Sequence, residues 1–156
     1  MRRRPYTGNF SVNHFKVGGC DISHESLAVA KAESAKRNLE IPLVIKSIYD
    51  LSSEQDAADP VLCCEVLEHL TDPKECLKNL ISLIKKNFIV SIPSEPIWHM
   101  LNIARGKHLT ALGNTPGHYQ HWSKAQFIKF VARYAEVISV KSPLPWTLIH
   151  CAPSRY

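Results

Sequence analysis

Four short apolar runs, each followed closely by a polar or turn-forming residue, alternate with stretches that read as helices or loops. This alternation limits the possible folds more than any other feature. Phe15–Ile22 carries Asp21 at its end, Leu43–Ile48 leads to Asp50, Val61–Cys64 leads to Glu65, and Phe88–Ile92 stops at Pro93. Strands alternating with helices predict an α/β domain with a largely parallel sheet. Residues 24–39, rich in Ala, Glu and Lys, follow a capping Ser23 and stop before Pro42, so they read as a helix. Ser52–Pro60 is a polar loop. Val61–Cys64, short and wholly apolar, reads as a strand buried on both faces, which would make Cys63 and Cys64 core residues.

The clearest helix start is Asp72-Pro73-Lys74-Glu75: an N-cap, proline at the first helical position and a carboxylate at the third. Cys76, Leu77, Leu80, Ile81, Leu83 and Ile84 follow at helical spacing. Ser123 and Gln126 form a second capping pattern before a helix reaching about Tyr134. Val137–Val140 and Leu148–Cys151 read as a closing pair of strands. Residues 97–104 read as a short helix and 105–122 as a loop.

A chain of 156 residues is enough for one domain, and 45% hydrophobic with 21% charged residues excludes disorder. Residues 1–14 read as a basic N-terminal segment, expected to be disordered. Residues 15–156 read as a single domain with a basic insert at about 97–122. Five cysteines with no CxxC spacing argue against a disulfide framework or a zinc ribbon, so reduced thiols and a cytoplasmic location are expected. No apolar run reaches the ~18 residues of a transmembrane helix. The net charge of +5 is uneven: no Asp or Glu occurs from Pro96 to Ala135, where Arg105, Lys107, Lys124, Lys129 and Arg133 lie. Such a segment suits an anionic ligand or an ordinary solvated face. Nucleic acid is not favoured, because the interleaved aromatics and reading helix of such binders are missing. His118 and His121 lack an acidic or cysteine companion nearby, so no metal is expected.

In open α/β sheets ligands bind beyond the carboxyl ends of the strands. Asp21, Ser47 with Asp50, and Glu65 stand at such ends. Asp21 reads equally well as a cap or turn residue. Glu65, Glu68 and His69 offer general-base chemistry, although Glu68 and His69 also open toward the Asp72 cap, where a structural role is expected.

Three segments carry a family resemblance. Val17-Gly18-Gly19-Cys20-Asp21-Ile22-Ser23, Leu62-Cys63-Cys64-Glu65-Val66-Leu67-Glu68-His69-Leu70 and Ile89-Val90-Ser91-Ile92-Pro93 together resemble class I S-adenosylmethionine-dependent methyltransferases. The type 11-like small-molecule subgroup is nearest, over residues 15 to 152. The resemblance implies a Rossmann-like, mostly parallel sheet with helices on both faces. It also implies methyl transfer from S-adenosylmethionine to a small-molecule or lipid-like acceptor, for which the basic insert favours an anion. Asp21, with Ile22 beside it, would hold the ribose hydroxyls of the cofactor. Ser47 and Ile48 would frame the adenine, and Glu65 would close the methionine end. Glu68 and His69 are the candidates for catalysis.

One family element has no counterpart. The glycine-rich loop belongs to a strand–helix unit before Phe15, where this sequence has fourteen residues and one glycine, Gly8. The expectation is a truncated nucleotide unit, weak or no cofactor binding and impaired activity. The alternative is a non-catalytic remnant or binding module of the same fold. A missing central strand would leave the strand ending at Asp21 and Val61–Cys64 with unpaired edges, each buried unsatisfied group costing about 1–3 kcal/mol. Direct closure of those two strands, or self-association, is expected over substitution by Asn9–Asn13.

Overall fold

A computed structural model describes residues 11–12, 15–95 and 119–154. The predicted helix at 97–104 and nearly all of the 97–122 insert lie outside the described residues. The chain divides into two compact units, Met1–Asp56 and Ala57–Tyr156.

In the first unit, β1 (Ser11–Val12) and β2 (Phe15–Lys16) form an antiparallel hairpin, and β3 (Gly19–Asp21) pairs in parallel with β4 (Leu43–Ile45). Between them runs α1 (His24–Lys36). Extended Ser23 caps it by accepting the Ser26 amide at 3.1 Å, and Asn38 follows its end at φ 55, a conformation asparagine tolerates. Gly19 faces Leu43 across the parallel pair, where an added Cβ would meet Leu43 Cδ2 at 3.1 Å. The predicted Leu43–Ile48 strand is shorter than expected, because Ser47 takes the Tyr49 amide and starts a tight turn over Ile48–Asp50.

The second unit carries a four-stranded sheet in the order β5–β6–β8–β7: β5 is Val61–Cys64, β6 Phe88–Pro93, β7 Ala135–Lys141 and β8 Trp146–Pro153. The β5–β6 pair is parallel; β8 runs antiparallel to both β6 and β7. The predicted caps are present. Asp72 accepts the Glu75 amide at 3.0 Å to start α2 (Pro73–Leu83), and Ser123 and Gln126 form a reciprocal box ahead of α3 (Lys124–Val131). Cys76, Leu77, Leu80 and Leu83 of α2 and Phe127 and Val131 of α3 are buried. So are Phe88, Val90 and Ile92 of β6, each worth about 1.5–3 kcal/mol in burial.

Two expectations need correction. Val61–Cys64 is not buried on both faces: Cys63 is buried, but Leu62 is 66% exposed and Cys64 is exposed too. Leu62 and Cys64 share one face of the strand by its two-residue period, and that face is uncovered. The expected pairing of the strand ending at Asp21 with Val61–Cys64 is not among the strand pairs of the described residues. Among the described residues β3 bonds only to β4 and β5 only to β6.

Candidate functional site

In the first unit the parallel register sets Asp21 opposite Ile45, so the carboxyl ends of β3 and β4 lie side by side. The Lys46 amide donates to the Asp21 carbonyl at 3.1 Å and locks the two ends together. The Asp21 carboxylate is shared out: Oδ1 accepts the Ser23 amide at 2.7 Å, while Oδ2 has no hydrogen bond among the described residues. Both sequence readings of Asp21 are therefore compatible, one oxygen closing the turn and the other open to a donor. Ser47 and Ile48 stand at the adjacent strand end, with the Ser47 hydroxyl taking the Tyr49 amide at 3.2 Å. Ile22 is 72% exposed beside Asp21, an apolar surface at the same strand end. Asp56 anchors the following loop, accepting Lys46 Nζ at 2.6 Å and the Ser52 amide at 2.8 Å.

In the second unit Glu65 follows β5 with φ 57, left-handed backbone that a glutamate adopts only at some cost. Its surroundings hold it there. Its amide donates to the Ser91 carbonyl at 3.1 Å, Ser91 Oγ donates to Oε1 at 3.0 Å, and Trp146 Nε1 donates to Oε2 at 3.0 Å. Burial raises its pKa, and the Ser91 and Trp146 hydrogen bonds together with His69 pull it back. Ser91 and Trp146 were not singled out for this role in the sequence. Ser91 does leave a trace as the polar residue within an otherwise apolar β6; Trp146 leaves none, because its partner is 81 positions away.

Glu68 differs sharply from Glu65. It sits in the turn Leu67–His69, only 2% exposed, and neither carboxyl oxygen has a hydrogen-bond partner among the described residues. Desolvation pushes its pKa up to about 8, with the Glu65 charge adding to the rise. Its backbone carbonyl is well used, accepting the Tyr119 amide at 2.8 Å and the Gln120 amide at 3.0 Å. Gln120 Nε2 also donates to the Leu70 carbonyl at 3.1 Å, so the turn is stapled to the segment before α3. His69, the neighbouring candidate, is exposed and acts on Glu65 electrostatically. Nearby Cys63 and Cys76 are both buried, and the Cys76 thiol together with burial raises the Cys63 pKa well above its ordinary value. No group of His, Cys, Asp and Glu suited to a metal ion occurs among the described residues.

The site residues thus fall into two sets. Asp21, Ile22, Ser47 and Ile48 meet at the strand ends of the first unit, and Glu65, Glu68 and His69 follow β5 in the second.

Comparison with known proteins follows the same residues. A protein family described as a methyltransferase domain matches residues 6–92. The ubiquinone biosynthesis O-methyltransferase of Xanthomonas campestris pv. campestris (strain B100) is 26% identical over 127 residues, 78% of this chain and 53% of its own length. The protein of that name from Coxiella burnetii (strain Dugway 5J108-111) is 35% identical over 69 residues, 44% of this chain and 30% of its own. The chain spans about half the length of the first of these relatives. Among solved structures, magnesium protoporphyrin IX methyltransferase from Synechocystis PCC 6803 with bound SAH superimposes with a TM-score of 0.64. It is 17% identical, with 88% of this chain and 64% of that one covered. A S-adenosylmethionine-dependent methyltransferase from Clostridium acetobutylicum ATCC 824 gives 0.61 at 12% identity, covering 88% and 74%. At such identities these structures establish a shared fold.

Proposed function

The chain belongs to the methyltransferase-domain family, and from that premise we propose that it methylates a hydroxyl oxygen of a small-molecule or lipid-like acceptor with S-adenosylmethionine as cofactor. The observation that carries the reading is the paired strand ends of the first unit, where Asp21 keeps one carboxylate oxygen unused beside Ser47 and Ile48. That donor–acceptor set fits an adenosine. A carboxylate with a spare oxygen suits a ribose hydroxyl, and the half-buried Ile48 offers an apolar edge for the base. When bound, the cofactor supplies a sulfonium-activated methyl group. Oxygen as the receiving atom is supported by the O-methyltransferase names of the relatives.

The chain's own contribution is to bind and to manage a proton. Glu65 is a strut more than a free ligand, since Ser91 and Trp146 occupy both of its oxygens. Glu68 is the group we assign as general base. Its carboxyl has no hydrogen-bond partner among the described residues, and an acceptor hydroxyl would supply one once the chain opens around this buried side chain. A base with a pKa of about 8 is well matched to the proton of an acidic hydroxyl such as a phenol. It takes that proton only in its ionised form, so turnover should climb with pH through about 8.

Calorimetric titration with S-adenosylhomocysteine tests the cofactor assignment. Asp21→Ala should lose a charge-assisted hydrogen bond worth about 1.5–3 kcal/mol, roughly ten- to hundredfold in affinity. Unchanged affinity with the fold intact would leave Asp21 as a cap alone. Tight binding with no methyl transfer to any phenolic acceptor would favour the non-catalytic binding module instead.

A further inference from the structure

One face of α3 combines features that neither its capping nor its packing requires. Gln126, Lys129 and Phe130 recur at the three- and four-residue spacing that aligns side chains on a helix, and Arg133 follows in the turn just past its end. With Trp122 they line an open cleft of about 270 Å³. Its floor is aromatic and ordered. The Trp122 ring stacks on Phe130 with centroids 5.1 Å apart at 22°, and on Phe127 at 5.6 Å and 30°. Tyr134 meets Phe130 edge-on at 5.6 Å, so the stack extends past the helix end. Phe127 is wholly buried and anchors the stack to the core, whereas Phe130 and Trp122 remain partly open.

The walls are cationic. Lys129 and Arg133 are exposed, four residues apart, and neither makes an ion pair among the described residues. Their segment, Pro96 to Ala135, contains no Asp or Glu, and Glu136 is the first acid after it. Gln126 uses its carbonyl oxygen to close the capping box with Ser123, so its amide nitrogen remains a donor at the rim.

We propose that this cleft is a binding site for a small anion carrying an aromatic ring, the ring lying against Trp122 and Phe130 and the anionic group between Lys129 and Arg133. The size limits the ligand. Pockets for drug-sized molecules run to about 300–1,000 Å³, and at about 270 Å³ this cleft has room for a single ring with one anionic substituent, any remainder lying in solvent on its open side. Stacking on a preformed aromatic surface supplies affinity, and the paired cations supply the preference for negative charge. The site needs no turnover and no cofactor, so its test is independent of the methyl-transfer reading.

The probe is phenyl phosphate, titrated into the full chain while the indole N–H resonance of Trp122 is followed by NMR and assigned with Trp122→Phe. Inorganic phosphate, cyclohexyl phosphate and vesicles of phosphatidylglycerol form the comparison arms. Saturable movement of the Trp122 signal by phenyl phosphate is expected, weakened about tenfold or more in Lys129→Ala/Arg133→Ala. The charge-preserving Lys129→Arg should retain most of the binding. Cyclohexyl phosphate should bind more weakly than phenyl phosphate, because it cannot stack. Equal binding by the double variant would overturn the proposal, as would equal binding of the two ring phosphates. A Trp122 response to vesicles alone would also overturn it and make this face a lipid-surface contact. Both charged side chains are exposed, so their removal leaves the fold intact, which circular dichroism checks.

Discussion

The two compact units are built from similar elements yet differ in what they bury. Among the described residues, all fifteen buried apolar ones lie in Ala57–Tyr156, and those of Met1–Asp56 contribute none. The first unit has a strand pair, a capped helix and a half-buried Lys46–Asp56 ion pair, but α1 has no buried residue and Val29 and Ile45 are 64% and 53% exposed. The second sandwiches β6 between β5 and β8 and covers the sheet with apolar side chains from α2 and α3. Helix caps and hydrogen bonds can therefore specify local structure without a core, while stability comes from burial. The proposed adenosine contacts occupy the unit whose described residues bury no apolar side chain, and the proposed base occupies the other.

A matched pair of truncations should separate the two units by the largest margin. Phe88→Ala removes a fully buried ring from a strand paired on both sides and should cost about 3–5 kcal/mol. Val29→Ala, on the exposed surface of α1, should cost no more than about 0.5 kcal/mol. Urea denaturation measures both. Similar losses at the two positions would mean that Val29 is covered in solution and that the first unit has a core after all. Native-state amide exchange sharpens the same contrast. Amides of α1 should exchange through small openings, and those of β6 only near global unfolding.

Glu68 tests the second unit's interior. Its pKa is about 8 in the folded chain against 4.5 when exposed, so the native state binds more protons than the unfolded state between those values. Stability is then fully present below about pH 4.5 and is lost as pH rises through about 8, with a steepest slope on the order of 1.4 kcal/mol per pH unit. Glu68→Gln removes the ionisation. It should flatten that slope, leaving the variant more stable than the parent at pH 9 while abolishing base catalysis. Denaturation midpoints at pH 6, 7.5 and 9 decide it. A parent whose stability does not fall over that range would show that Glu68 ionises freely and is not a buried proton holder.

How far the sequence shows this architecture depends on the range of the interactions involved. Ser23, Asp72 and the Ser123–Gln126 box were identifiable because a cap is made within three residues of itself. Asp21 and Ser47 were identifiable as strand-end residues, and register alone brings those ends together. The depth of Glu68 was not, because it arises from tertiary packing around a turn that reads as a polar Glu-His pair. The exposure of Leu62 escaped for the converse reason: Val61–Cys64 carries no polar residue to mark its open face, so composition suggested burial on both sides.

That open face gives the smallest expected effect on stability and the sharpest test of association. Leu62 is 66% exposed on β5, whose only bonded neighbour among the described residues is β6. An apolar strand edge with unpaired backbone groups is a template for pairing with another chain, and natural edges commonly use lysine to block it. Leu62→Lys removes little burial, because the side chain has little to lose, and should change unfolding free energy by no more than about 0.5 kcal/mol. Its effect should appear in mass. The parent is expected to self-associate as concentration rises, and Leu62→Lys to sediment as a monomer at the same concentrations. Phe88→Ala cannot produce that result, since it weakens the core without charging the edge. A parent that stays monomeric throughout would show that this edge is already protected. A large loss of stability in Leu62→Lys would show that Leu62 is buried, placing β5 in the interior of a sheet, as its composition first suggested.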